Sequence, residues 1–378
     1  MVALRHAGHC TADCGSFHSA LDGPFMKDRA MSFVISASFS RLHRNAFDEE
    51  PSCLPTAAPT ASRGVVTVEL VMRHAGTQRV HIRYESQGAH HAPTVLVAGG
   101  ISAGCHAGRS VAFPDNGWWE PQVGAGRALD PAHCRILAID WLGSDGTLDV
   151  PIDPADQANA IAKVLDALQI DTLSAFVGCS YGAMVGLHFA TLHGDRIEQL
   201  IAISGTDRAH PYASAWRALQ RRAVALGALQ CDESAGLALA RELAMLSYRT
   251  PEEFAERFAS PAKVSNGRVR CPAEDYLDHC GQRFAGTFSA TGFLRLSESI
   301  DLHAIEADAI RIPVTVVAIA EDRLIPIEDA YRLTERLPGK KFLRVLRSKY
   351  GHDAFLKEAI AIAALLREAL STPCGETK

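Results

Sequence analysis

The sequence contains no run of apolar residues long enough to cross a bilayer, which excludes a helical membrane span. It has no excess of positive charge: 38 Lys and Arg stand against 43 Asp and Glu, for a formal net charge of −5. A polyanion-binding surface is therefore not expected, nor is a nucleic-acid partner. Its first thirty residues mix His, Cys, Asp and Gly without the apolar core of a secretory signal. The ten cysteines follow no disulfide or metal-ligand spacing. Cys10 and Cys14, with His9 and His18 nearby, form the closest group, and incidental residues in an unstructured tail are the better reading. Cys105, Cys179 and most of the others read as reduced, buried thiols. A soluble, cytoplasmic protein without a metal is the expectation. What is present is ordinary globular composition, 47% hydrophobic and 21% charged, in a chain of 378 residues. That is ample for one large core.

Residues 1–63 lack sustained periodicity and end in a Pro/Ala/Ser/Thr-rich stretch, so they read as a disordered leader or linker, with Met31 as an alternative start. From Gly64 the pattern changes. Val65–Met72 and Val80–Tyr84 alternate like an antiparallel strand pair around a turn at Gly76. Thr94–Ala98 and Arg135–Asp140 are continuous apolar runs, as in strands buried on both faces. A helix at 155–168, a strand at 172–177, a helix at 183–193 and a strand at 199–204 follow. This alternation predicts an α/β fold, with a mostly parallel sheet and helices on both faces. Residues 208–299 carry only helical patterns and read as a helical lid insert following the sixth strand. Sheet patterns resume at 313–319 and 341–346, with a closing helix at 356–369, so 64–207 and 300–372 make the core.

The chemistry centres on Gly178-Cys-Ser180-Tyr-Gly182, a Gly-x-Ser-x-Gly motif that follows an apolar strand and opens a helix. A serine in this setting sits on a sharp, strained turn with its hydroxyl exposed, and the flanking glycines let strand and helix approach. That strand–turn–helix context points to the nucleophile of an α/β-hydrolase fold, with Ser180 as the nucleophile. Its hydroxyl needs a base, and in this fold an acid and a histidine follow in chain order. Asp322 and its neighbour Glu321 follow the strand at 313–319. His352 follows the last strand, which sets it apart from His210 and His303 at or near the insert. The backbone N–H groups of Tyr181 and Gly100 are the expected oxyanion donors.

Four further stretches resemble the homoserine O-acyltransferases of the α/β-hydrolase superfamily, over roughly residues 65–370. They are Gly117-Trp-Trp-Glu120 with Val123–Asp130; Ala240-Arg-Glu-Leu-Ala-Met-Leu-Ser-Tyr-Arg-Thr250; Asp275-Tyr-Leu-Asp278 leading to Phe284; and Asp322–Pro326 with Gly351–Leu356. The resemblance implies that Asp322 is the acid and that Arg241 and Tyr248 bind the amino-acid substrate. It also implies that Asp353 receives the substrate ammonium group. A spacing of seven places Arg241 and Tyr248 on one helix face, with Arg249 about 100° round. L-homoserine and an acyl-CoA co-substrate, with no cofactor or metal, are further implications, as is a homodimer built through the insert.

The sequence departs from the family in its elbow, where Tyr181 and Ala183 replace the usual Met and Gly, and in a short loop at 141–149. These features and the Gly99-Gly100-Ile101-Ser102 turn look more like succinyl-using than acetyl-using relatives. Succinyl-CoA is therefore the expected donor and acetyl-CoA the alternative. A succinyl group needs room and a partner for its carboxylate. The shortened loop, the hydroxyls of Tyr181 and Ser102 and an arginine of the insert are the candidates. Serine as acceptor, a plain esterase or thioesterase, and a non-catalytic binding protein are the remaining readings.

Overall fold

The computed structural model describes residues 60–371 apart from residue 231. The leader lies outside the described residues as far as residue 59. The first strand, β1 (Ala61–Met72), begins ahead of the Gly64 boundary because β2 (Gly76–Gln87) continues far enough to pair with it. Arg63 closes that end, its Nε donating to Glu85 Oε2 at 2.7 Å. Next come β3 (Thr94–Ala98), β4 (Arg135–Ile139), α1 (Pro154–Ala167), β5 (Ala175–Cys179), α2 (Tyr181–Leu192) and β6 (Leu200–Ile203). The insert follows as α3 (Pro211–Leu229), α4 (Glu233–Tyr248), α5 (Pro251–Arg257), a hairpin of β7 (Lys263–Ser265) and β8 (Arg268–Arg270), α6 (Pro272–Ala285) and α7 (Ala290–Asp301). The core resumes with β9 (Val314–Ile319), α8 (Ile327–Arg336), β10 (Lys341–Leu346), α9 (Ala354–Lys357) and α10 (Ala359–Ser371).

Eight strands form one sheet in the order β1-β2-β4-β3-β5-β6-β9-β10. The pairings of β2 with β1 and with β4 are antiparallel, and the rest are parallel. The central strands are buried on both faces, so successive residues feed two cores. Phe176 and Leu96 pack with α1 and α2, whereas Val177 and Val97 pack against α10 and Trp119. The chain moves from β3 outward to β4 and returns on the other side as β5. The carboxyl ends of β3 and β5 therefore flank the switch point where ligands bind in open α/β sheets.

Three differences from the sequence reading have local causes. The insert is not wholly helical. Asn266 and Gly267, both at positive φ, turn the chain between Val264 and Val269 into a two-residue hairpin. Helix α8 has no apolar run to announce it, half of its residues being charged, with Ala330 and Leu333 buried beneath. Strand β5 runs to Cys179 rather than stopping at Val177, because β3 and β6 supply partners to its end.

Candidate active site

Ser180 joins β5 to α2 with φ 56° and ψ −118°, a left-handed backbone that a non-glycine residue adopts only under strain. The glycines around it are sterically required. A Cβ on Gly178 would lie 2.4 Å from the carbonyl oxygen of Gly182, and one on Gly182 would lie 2.2 Å from that of Ala98. In this turn the Ser180 hydroxyl lies 2.8 Å from Nε2 of His352. His352 occupies a short 3₁₀ turn, Gly351–Asp353, after β10. Its Nδ1 lies 2.6 Å from Asp322 Oδ2. The other Asp322 oxygen accepts the backbone N–H groups of Leu324 and Ile325, which fixes the carboxylate in place after β9. Burial disfavours the imidazolium of His352, but the Asp322 carboxylate more than offsets this, and the histidine pKa is raised.

The competing residues are engaged elsewhere. Glu321 accepts the backbone N–H of Ser348 at 2.7 Å. His303 is buried against His188 and the Thr206 carbonyl oxygen, and burial pulls its pKa down to about 4. His210 caps α3 by accepting the Tyr212 N–H.

A cavity of about 170 Å³ opens beside Ser180. His352, Gly100, Arg241, Tyr248 and Asp353 line it with Ser180, so all but two of the residues singled out from sequence converge there. Asp322 stands behind His352. Tyr181 contributes its backbone at the first position of α2, where the N–H has no intrahelical acceptor. Gly100 is close by: a Cβ built on it would be 3.9 Å from Ser180 Cβ. Its carbonyl is turned away and held by the Ala103 N–H and Trp141 Nε1.

The guanidinium of Arg241 lies over the rings of Tyr248 (5.6 Å) and Phe284 (5.0 Å), and the Tyr248 ring is 5.8 Å from that of His352. Arg241 has no carboxylate partner among the described residues. Arg249 is not on the same helix at a different angle. Helix α4 ends at Tyr248, and Arg249 is extended and buried, its Nε donating to Asp353 Oδ2 and its Nη1 to Glu253 Oε1, both at 2.9 Å. It thus holds the Asp353 carboxylate at the cavity wall. Sequence reasoning missed this role, because the helix end that turns Arg249 inward is set by Thr250 capping α5.

Two of the suggestions for a larger acyl site are corrected. The Tyr181 hydroxyl does not face the cavity, since the side chain is fully buried and its Oη lies 2.6 Å from Ser299 Oγ. No residue of the short loop 141–149 lines the cavity either. Trp141 instead packs on Tyr181 and supports Gly100 from behind, while Gly143 and Ser144 lie against Gly292 of α7. Ser102 does line the cavity. Among the described residues, no group of three or more His, Cys, Asp or Glu is placed to hold a metal ion, and no helix is long and apolar enough to cross a membrane.

A doubly wound sheet with a strained serine turn, and a histidine and an aspartate aligned behind it, defines a protein of the α/β-hydrolase class. The α/β-hydrolase fold model matches residues 93–359. The chain is 56% identical to the homoserine O-succinyltransferase of Xanthomonas campestris pv. campestris, over 94% of this chain and 95% of that protein. It is 32% identical to a homoserine O-acetyltransferase of Thermus thermophilus, over 68% of this chain and 72% of that one. The solved homoserine O-acetyltransferase of Bacillus anthracis superimposes with a TM-score of 0.76 at 16% identity, covering 84% of this chain and 99% of its own. The chain belongs to the homoserine O-acyltransferase family of α/β hydrolases.

Proposed function

We propose that this protein transfers a succinyl group from succinyl-CoA to the hydroxyl of L-homoserine through a covalent acyl-enzyme, a step of methionine biosynthesis. The observation that carries this reading is the pairing, in one cavity with Ser180, of an arginine lacking a carboxylate partner (Arg241) with a carboxylate (Asp353). An esterase needs only the serine, histidine and aspartate. An amino-acid acceptor also needs a cation for its carboxylate and an anion for its ammonium group.

In the first half-reaction His352 Nε2 takes the Ser180 proton as Oγ attacks the thioester carbonyl. The backbone N–H groups of Tyr181 and Gly100 donate to the developing oxyanion. The intermediate collapses, the C–S bond breaks, and His352 returns the proton to the departing CoA thiolate. In the second half-reaction the homoserine hydroxyl gives its proton to His352 and attacks the acyl carbonyl. Collapse then returns that proton to Ser180 as O-succinylhomoserine leaves. Asp322 orients the imidazole and stabilises its protonated form. Transfer outruns hydrolysis because the acceptor is held in place under the insert. No metal or tightly bound cofactor takes part.

Two copies associate through the insert. Tyr212, Leu219 and Leu226 of α3 recur every seven residues and are exposed, as are Leu239 and Leu246 of α4. Such stripes are suited to bury one another. The reaction is placed in the cytoplasm, where acyl-CoA thioesters are made and the free thiols at Cys105, Cys134, Cys179, Cys271 and Cys280 stay reduced.

The test is the steady-state rate with succinyl-CoA and acetyl-CoA, each with L-homoserine and with L-serine. Succinyl-CoA with homoserine should give the highest kcat/KM. A tenfold or greater preference for acetyl-CoA reverses the donor, and CoA release that ignores the amino acid indicates a thioesterase.

A further inference from the structure

Both donors to the oxyanion are backbone N–H groups. A backbone donor has no rotamer of its own, so its aim depends on what holds the peptide units around it. Gly100 follows β3, and Tyr181 is the first residue of α2. One buried residue touches both. Trp141, in the loop after β4, is only 3% exposed. Its indole Nε1 donates to the Gly100 carbonyl oxygen at 3.0 Å. Its ring meets that of Tyr181 edge to face, with centroids 5.0 Å apart and planes at 72°.

The Gly100 N–H lies between two clamped carbonyls. The Gly99 oxygen accepts the Gly182 N–H at 2.9 Å, and the Gly100 oxygen accepts both Trp141 Nε1 and the Ala103 N–H. The Gly100 N–H itself has no acceptor among the described residues, as a donor kept for a ligand requires. Glycine brings little stiffness of its own, so loosening one clamp lets this peptide turn. Tyr181 is held from its far end, where Oη lies 2.6 Å from Ser299 Oγ of α7 while Trp141 packs on the ring. Trp141 is fixed in its turn. Gln157 of α1 accepts the Leu142 N–H at 2.9 Å and donates to the Leu142 oxygen at 3.2 Å. One residue earlier, Asp140 Oδ1 accepts the Cys105 N–H at 2.7 Å and ties the same two loops together.

We propose that Trp141 is the positioning residue of the oxyanion site, setting the Gly100 and Tyr181 N–H groups at the separation that the tetrahedral oxygen needs. This rests on the reading of Ser180 as the residue that is acylated. Trp141 does not line the cavity, so it acts only through the two donors. Donors fixed in advance stabilise charge as it develops without having to reorganise. The same oxyanion forms in acylation and in transfer. Loss of the indole N–H should therefore slow both steps and spare no acyl group, unlike loss of a residue that reads the acyl chain or the acceptor.

The experiment removes the indole N–H from the full-length protein in two ways. Trp141→Phe is one. The other installs benzothienylalanine at position 141, which keeps the double ring and puts sulfur where the N–H was. CoA release without acceptor reports acylation, steady-state turnover with homoserine reports transfer, and isotope-edited infrared spectroscopy reads the ester carbonyl of the acyl-enzyme. Deleting an oxyanion donor outright slows a reaction about 100- to 1000-fold, so loosening one should lower the rates of both steps roughly 10- to 100-fold. The fall should be equal with succinyl-CoA and acetyl-CoA, with KM for homoserine within about threefold of wild type. The carbonyl band should move up towards that of a simple ester, because the donors polarise it less. If Trp141→Phe does not fold, the benzothienyl protein decides, since it leaves the core filled. Rates within about threefold of wild type, or slower rates with the carbonyl band unmoved, overturn the proposal and leave Trp141 as packing. A loss confined to one acyl-CoA, or to KM for homoserine, also overturns it. A wild type that releases no CoA overturns the reading of Ser180 as well. A wild type that acylates normally beside unaffected variants overturns this inference alone.

Discussion

Asp322 Oδ2 lies 2.6 Å from His352 Nδ1, and the same carboxylate accepts two backbone N–H groups through its other oxygen. The imidazole is thereby held in one orientation, with Nε2 turned to the Ser180 hydroxyl. The neighbouring Glu321 is bound to the Ser348 backbone and takes no part in this chain.

Ser180→Ala, His352→Ala and Asp322→Asn should each lower kcat by several orders of magnitude, with double variants little worse than single ones because the three act as a unit. Glu321→Gln should stay within about threefold of wild type, a change of well under 1 kcal/mol in the barrier. Steady-state kinetics decide between the two acids: full activity in Asp322→Asn with loss in Glu321→Gln would reverse the assignment.

The raised pKa of His352 sets a direction for the pH profile. The base must be unprotonated, so kcat/KM should fall as pH drops through a value above that of ordinary imidazole, about 6.5. Stability runs the other way. The contribution of the protonated histidine is fully present below its unfolded pKa and is lost as pH rises through the raised folded value. Removing the negative charge in Asp322→Asn should move the acid limb of the residual activity to lower pH. An unmoved limb would mean that another group titrates.

Arg241→Ala should abolish transfer to homoserine while sparing formation of the acyl-enzyme. Rapid-quench kinetics should show a burst of CoA release without O-acylhomoserine. Equal loss of both half-reactions would mean that Arg241 supports the cavity or serves the donor.

Gly182→Ala places a Cβ 2.2 Å from the Ala98 oxygen, and Gly178→Ala places one 2.4 Å from that of Gly182. Both should lower Tm by roughly 5 °C or more and remove activity. Gly194→Ala, which meets nothing within 4 Å, should change stability by less than about 0.5 kcal/mol.

Leu219→Glu combined with Leu226→Glu should give a monomer by sedimentation or light scattering, because charge replaces apolar surface on the exposed face of α3. A dimer of undiminished affinity would place the interface elsewhere.

The serine turn was legible because its constraint is local. Residues two positions either side of Ser180 must lack a Cβ for strand and helix to close up, so chemistry and sterics are written into five consecutive residues. His352 was legible because it follows the last strand, and a parallel sheet brings its carboxyl ends to one edge; the place after β9 suited Glu321 and Asp322 alike, and only the family resemblance singled out Asp322. Arg241 and Tyr248 could be placed together by helical spacing alone. The β7–β8 hairpin carried a readable signal in Asn266-Gly267 between two valines, whereas α8 offered no apolar run.

Sequence by itself determined what depends on neighbours along the chain: the succession of strands and helices, the strained turn and the residue types needed for acyl transfer. Tertiary structure alone decided what depends on neighbours across it. Arg249 holds Asp353 because α4 stops one residue earlier. Tyr181 is spent on Ser299, and the short loop after β4 props up Gly100 instead of widening the cavity. Arg217, Arg221 and Asp301 form one cluster only because α3 packs against α7. No spacing within a single helix encodes which carboxylate two arginines will share.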